Sequence, residues 1–204
     1  MRPRNLLLAL AIGLCLTAGA WFAIQSVPPP AKPLTATILP AGGEVPAFRL
    51  TDQAGNPIDQ NVFRGQWDLV FFGSTNCPDV CPITLGVLAA ARRELEAAGE
   101  TTLPRIVLVS VDPERDTPES LARYLGAFGD STLGITGDES ELRNLTDGLG
   151  IFFEKRAANE DGYYVVDHSA AVLVIDPDGR FHALFSTPHA IENFVHDLPV
   201  LMSS

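Results

Sequence analysis

The chain opens on a run without charge from Asn5 to Val27, in which apolar side chains dominate Leu6 to Ile24. A helix needs about 20 such residues to cross a bilayer. Arg2 and Arg4 ahead of the run, with Trp21 and Phe22 near its far end, fit a single span whose N-terminus faces the cytoplasm. Residues 1–27 therefore predict an N-terminal membrane anchor, with a signal peptide cleaved at Ala18-Gly19-Ala20 as the rival reading. The pattern then changes. Pro28, Pro29, Pro30, Pro33 and Pro40 leave no sustained apolar period, so residues 28–40 read as an extended spacer ahead of one domain, residues 41–204.

In that domain Val45 to Asp52 alternates and is followed by the turn residues Gly55-Asn56-Pro57, which predicts a short hairpin. Asp68 to Phe72 is a continuous apolar strand of the kind buried on both faces. Ile83 to Ala98, rich in Ala, Leu, Arg and Glu, predicts a helix, and Arg105 to Val111 a second buried strand. After a turn at Asp112-Pro113, Thr117 and Pro118 are the cap and first residue of another helix. The last third predicts a helix from Asp138 to Leu149, strands at Ala170 to Ile175 and Arg180 to Phe185 around an Asp176-Pro177-Asp178-Gly179 turn, and a closing helix from Pro188 to Leu201. Strand, helix, strand, helix followed by an antiparallel pair and a helix is an α/β, thioredoxin-like order. The early hairpin and the helix near Asp138 are additions to it.

Charge changes the picture by exclusion. The 204 residues carry 14 Lys+Arg against 25 Asp+Glu, a net charge of −11, so nucleic acid is not an expected partner. Of the three cysteines, Cys15 sits in the apolar run and reads as a small filler. An exported domain then holds only Cys77 and Cys81. Their loop is too short for a disulfide to restrain the unfolded chain usefully, which favours a redox couple or a metal site.

Both cysteines lie in Cys77-Pro78-Asp79-Val80-Cys81-Pro82, where a buried strand hands over to a helix. Pro78 suits a first helical turn, which places Cys77 near the N-cap, where free N–H groups favour a thiolate. Cys81 returns to the same helix face, and Pro82 is expected to distort the first turn. Two thiolates select copper(I), zinc or an iron–sulfur cluster. A cluster or a closed structural zinc site needs about four protein ligands, so copper fits better. Copper(II) calls for a further donor such as imidazole. The candidates are His168, His182, His189 and His196: His182 lies in an outer strand and His189 and His196 in the last helix, while His168 sits in a polar break just before a buried strand.

The run Gly73-Ser74-Thr75-Asn76-Cys77-Pro78-Asp79-Val80-Cys81-Pro82 resembles the signature of the Sco/SenC family. Val109 to Pro118, Tyr164 to Ser169 and Val174 to Gly179 resemble further family segments in the same order. Asn76, and Ser74 in place of the family's usual aromatic, are departures that remove no ligand. The resemblance implies a thioredoxin fold with one copper ion, Cu(I) or Cu(II), on Cys77, Cys81 and His168. It also implies a copper chaperone for the CuA-bearing subunit of cytochrome c oxidase; with the anchor read from residues 1–27, the expected place is a bacterial-type inner membrane with the domain in the periplasm. Another periplasmic copper carrier is a further expected partner. The alternatives are a thiol–disulfide oxidoreductase using Cys77 and Cys81 as a redox pair, and a copper or redox sensor. Asp79 and Asp167 are candidates to orient the ligands.

Overall fold

The computed structural model describes residues 32–39 and 42–203, so the predicted anchor lies outside the described residues. Among them no helix is long and apolar enough to cross a membrane. The described residues from Pro33 onward form one compact unit.

Its frame is one mixed sheet in the order β1-β10-β9-β4-β5-β6-β2-β3. The strands are β1 (Thr37–Ile38), β2 (Leu50–Asp52), β3 (Pro57–Ile58), β4 (Asp68–Gly73), β5 (Arg105–Ser110), β6 (Thr132–Thr136), β9 (Val172–Ile175) and β10 (Phe181–Phe185). β4, β5 and β6 are parallel, while β9, β10 and β2 add antiparallel neighbours. A separate two-stranded sheet pairs β7 (Phe153–Lys155) with β8 (Val166–His168). The helices are α1 (Val80–Ala97), α2 (Pro118–Leu125), α3 (Glu139–Gly148) and α4 (Ile191–Met202).

The period-2 geometry of a strand sends alternate side chains to opposite faces, and β4 divides accordingly. Leu69 and Phe71 join Leu85, Leu88, Leu121 and Leu198 in one core, so α1, α2 and α4 cover that face. Val70 and Phe72 join Phe48, Phe63, Leu142 and Leu145 on the other, beneath α3 and the N-terminal hairpin. A strand buried on both faces has no polar alternation to display, and all six residues of β4 are buried, Asp68 included. Asp68 is tolerated because its cross-strand neighbour Arg105 donates Nε to Oδ1 at 2.8 Å and Nη2 to Oδ2 at 3.0 Å.

Four expectations change. Within the stretch read as a spacer, residues 34–38 belong to the fold: Thr37–Ile38 pairs with β10, and the buried Asp197 carboxylate of α4 accepts the N–H groups of Leu34, Thr35 and Ala36 at 2.7–2.8 Å. These are backbone interactions, which side-chain periodicity does not report. Strand β6 falls in a stretch assigned no element, because Gly134 interrupts its apolar run; a Cβ there would lie 2.8 Å from Leu125 Cδ1, so α2 packs directly onto it. The polar break around His168 is a short strand, paired with β7 as Phe153↔His168. The last helix begins at Ile191, which leaves His189 ahead of it. Thr117 caps α2 as expected, its hydroxyl accepting Ser120 N, with Pro118 first in the helix.

Candidate metal centre

β4 delivers the chain to the carboxyl end of the parallel strands at Gly73, and the following loop carries Cys77. Gly73 is there because of what faces it. A Cβ would sit 2.8 Å from Cys81 Sγ and 3.0 Å from Phe71 Cε1, so only glycine lets the thiol lie against the strand end.

Helix α1 starts at Val80 with Asp79 as N-cap, so Cys77 precedes the cap by two residues instead of occupying it. Its thiol is still served by the helix start. Burial pushes the Cys77 thiol up, but the N–H groups of Asp79 and Cys81, the Cys81 thiol and the N–H of Val80 together hold it below the ordinary value. Cys81, on the second residue of the helix, is wholly buried. Burial pushes its thiol well up, against one N–H from Ser74, and the nearby charges of Cys77 and Asp116 push the same way. Pro82 takes the third helical position, where an N–H has no intrahelical partner, and the first helical bond is Ile83 N to Asp79 O at 3.3 Å. Asp79 is exposed and makes no side-chain cap bond, so it does not orient a ligand.

His168 reaches the thiols from the end of β8. Its Nδ1–H donates to Ser169 O at 3.1 Å, which leaves the Nε2 lone pair facing Cys81 Sγ at 3.6 Å. Phe71 backs the ring edge-on at 5.7 Å. Burial holds the imidazole below its ordinary pKa, favouring the neutral form that a metal requires. Asp167 does not orient this ring. Successive strand residues face opposite ways, and its carboxylate pairs with Arg156.

The other histidines do other work. His189 Nε2–H donates to Ala170 O at 2.7 Å, His196 Nδ1 pairs with Asp197 at 2.7 Å, and His182 packs edge-on against Trp67 at 5.2 Å.

The turn after β5, Asp112 to Pro118, reads in the sequence only as a capped turn. In the structure Asp116, fully buried, accepts Thr75 N at 3.1 Å, Thr75 Oγ1 at 2.6 Å, Asn76 Nδ2 at 3.2 Å and Ser110 Oγ at 2.6 Å. Asp112 accepts Ser74 Oγ at 3.3 Å. Two carboxylates thus hold the loop in front of Cys77. Their side-chain partners Ser74, Thr75 and Asn76, polar residues beside the cysteines, were the available signal.

Among the described residues, Cys77, Cys81 and His168 form the one group of three metal-ligating side chains whose donor atoms converge, all within 4.8 Å of one another. Donors bonded to one ion at about 2.0–2.3 Å lie roughly 3.5–4 Å apart. The Cys81–His168 pair is already at that separation. Two thiolates and one imidazole suit a soft or borderline ion such as copper and disfavour magnesium or calcium.

The SCO1/SenC family matches residues 39–203. The chain belongs to the SCO1/SenC family. Its Mus musculus relative, "Protein SCO2 homolog, mitochondrial", is 36% identical over 151 residues, which cover 74% of this chain but 59% of that protein. Among solved structures, Arabidopsis thaliana ScoI with copper bound superposes with a TM-score of 0.71 at 31% identity, covering 79% of this chain and 97% of that one. Bradyrhizobium japonicum ScoI with copper bound gives 0.66 at 34% identity, covering 78% and 97%. These SCO1/SenC likenesses include the mixed α/β, thioredoxin-like sheet described above.

Proposed function

We propose that this SCO1/SenC chain binds one copper ion through Cys77, Cys81 and His168 and delivers it to the CuA-bearing subunit of cytochrome c oxidase during assembly. The observation that carries the reading is the convergence of three copper-compatible donors at the carboxyl end of the parallel strands. The copper-bound relatives support the choice of ion. Only three protein donors, with Cys77 half-exposed, leave an approach for a partner's sulfur, which suits a carrier better than a permanent cofactor site. The same proposal places residues 1–27 as an anchor in a bacterial-type inner membrane with the domain in the periplasm, where another copper carrier supplies the ion.

The test uses the reduced domain, residues 33–204. Copper(II) is expected to bind one per chain with thiolate-to-copper charge-transfer bands, lost in Cys77→Ser. His168→Ala weakens copper(II) far more than copper(I), whereas either cysteine variant weakens both. Equal copper(II) affinity with and without His168 sinks the site. Delivery is read by mixing the copper-loaded chain with the reduced, copper-free CuA domain. A CuA spectrum supports it; copper that stays on this chain opposes it.

The unequal thiols favour a second reading. A half-exposed Cys77 with a lowered pKa beside a buried Cys81 is the arrangement of an attacking and a resolving thiol, so the reduced pair could reduce a disulfide in the CuA subunit. Reduction of that disulfide by the copper-free dithiol chain, and not by Cys77→Ser, distinguishes this activity.

A further inference from the structure

The donor set is assembled from two pieces that local structure alone does not hold together. Cys77 and Cys81 share one loop and helix start, whereas His168 is 87 residues beyond Cys81 and arrives on β8. That strand belongs to a two-stranded sheet with no ladder to the eight-stranded one. An isolated two-stranded hairpin is marginal in water. Contacts outside the hairpin therefore set where the imidazole stands: Phe153 and Val166 pack against one core, Phe71 backs the His168 ring, and a polar cluster holds the loop between the two strands.

One carboxylate touches both pieces. Asp112, 3% exposed, accepts Ser74 Oγ from the cysteine loop on Oδ2 at 3.3 Å and the hydroxyl of Tyr164 from the hairpin on Oδ1 at 2.8 Å. Arg115 closes the unit. Its Nε donates to Asp112 Oδ2 at 2.6 Å, its Nη1 to Tyr164 O at 3.2 Å, and its guanidinium carbon lies 3.8 Å from the Tyr164 ring centroid. Lys155, across the hairpin in β7, places Nζ 4.1 Å from the same centroid and ion-pairs with Glu114. The turn that fixes the cysteine loop through Asp116 thus also grips the hairpin through Asp112 and Arg115.

We propose that Asp112, Arg115 and Tyr164 form a latch that positions His168 over the two thiols and thereby sets the preference of the site for copper(II) over copper(I). The inference rests on the copper reading above. None of the three residues is a ligand; they act through the hairpin. Two thiolates can satisfy copper(I) by themselves, whereas copper(II) draws on the imidazole. Loosening the latch therefore removes copper(II) affinity first, which a purely structural role would not do.

The test compares Tyr164→Phe, which keeps the ring over Arg115 and removes the hydroxyl that meets buried Asp112 at 2.8 Å and exposed Glu114 at 3.4 Å, with Tyr164→Leu, which removes ring and hydroxyl. In the 33–204 domain, Tyr164→Phe is expected to raise the copper(II) dissociation constant about tenfold while copper(I) changes less than twofold. Tyr164→Leu goes further in the same direction, and Tyr164→Phe decides alone if it does not fold. In the copper-free protein, amide exchange at Val166 to His168 is expected to accelerate while β4 and β5 keep wild-type rates. Unchanged copper(II) affinity in Tyr164→Phe overturns the latch, as does an equal loss for both oxidation states. If the wild-type domain takes up no copper, the copper reading fails by itself and amide exchange still decides: unaltered protection of β8 in Tyr164→Phe overturns the latch.

Discussion

Gly73→Ala is the smallest change that should disturb fold and metal centre together. The added Cβ would lie 2.8 Å from Cys81 Sγ, 3.0 Å from Phe71 Cε1 and 3.4 Å from Leu108 Cδ1. Heavy atoms in good contact sit about 3.5–4.0 Å apart, so the overlap with sulfur approaches 1 Å. Neither neighbour can yield freely. Cys81, Phe71 and Leu108 are each 0% exposed, and Cys81 is anchored by a helix whose Leu85 and Leu88 fill the same core. Overpacking of this kind costs about 1–3 kcal/mol. The strain that is relieved moves Sγ, and with it the 3.6 Å approach to His168 Nε2. Urea unfolding of the copper-free domain should show the stability loss, and chelator competition a copper(I) affinity at least tenfold weaker. A double-mutant cycle isolates the cause: in a Cys81→Ala background the sulfur is gone, so Gly73→Ala should cost at least about 1 kcal/mol less than in the wild type. Equal cost in both backgrounds, or wild-type stability in Gly73→Ala itself, refutes the packing argument.

Two further outcomes follow from the titrating groups. Because its pKa is lowered, Cys77 should alkylate with a pH–rate inflection below that of the same thiol in the urea-unfolded chain, while Cys81 stays slow; mass spectrometry of the reduced domain reads both rates, and a Cys77 inflection at or above that of the unfolded chain contradicts the assignment. For Asp197, burial alone would raise the carboxyl, but the N–H groups of Leu34 and Ala36, His196 and Thr35 leave it well below the usual carboxylate range. A depressed folded-state pKa contributes stability that is present above the unfolded value of about 3.9 and is lost as pH falls through the folded one. Asp197→Asn should therefore destabilise the 33–204 domain by about 2–4 kcal/mol at neutral pH, with the gap to wild type closing below about pH 4. A gap that does not change with pH argues against the charged clamp.

What the sequence by itself determined lies where chemistry and periodicity are local. The apolar runs of β4 and β5, the capped start of α2 and the Asp176 to Gly179 turn are each readable within a few residues, and all stand in the structure. The thiol pair is equally local, since the strand-to-helix handover puts both sulfurs on one short segment. By position alone the third donor was one candidate among four histidines, and the resemblance of Tyr164 to Ser169 to a family segment singled out His168, but neither says how the ring meets the thiols. Tertiary structure decided that: the Phe153↔His168 register and the Nδ1 bond to Ser169 O aim Nε2 at a sulfur 87 residues away. It also decided that Leu34 to Ala36 belong to the fold, and that Asp112 and Asp116 brace the site. Those contacts join backbone N–H groups or buried hydroxyls to distant carboxylates, and such pairings leave no hydrophobic period along the chain. They exist only once the sheet has closed and water is excluded, because an unpaired carboxylate could not be buried there otherwise.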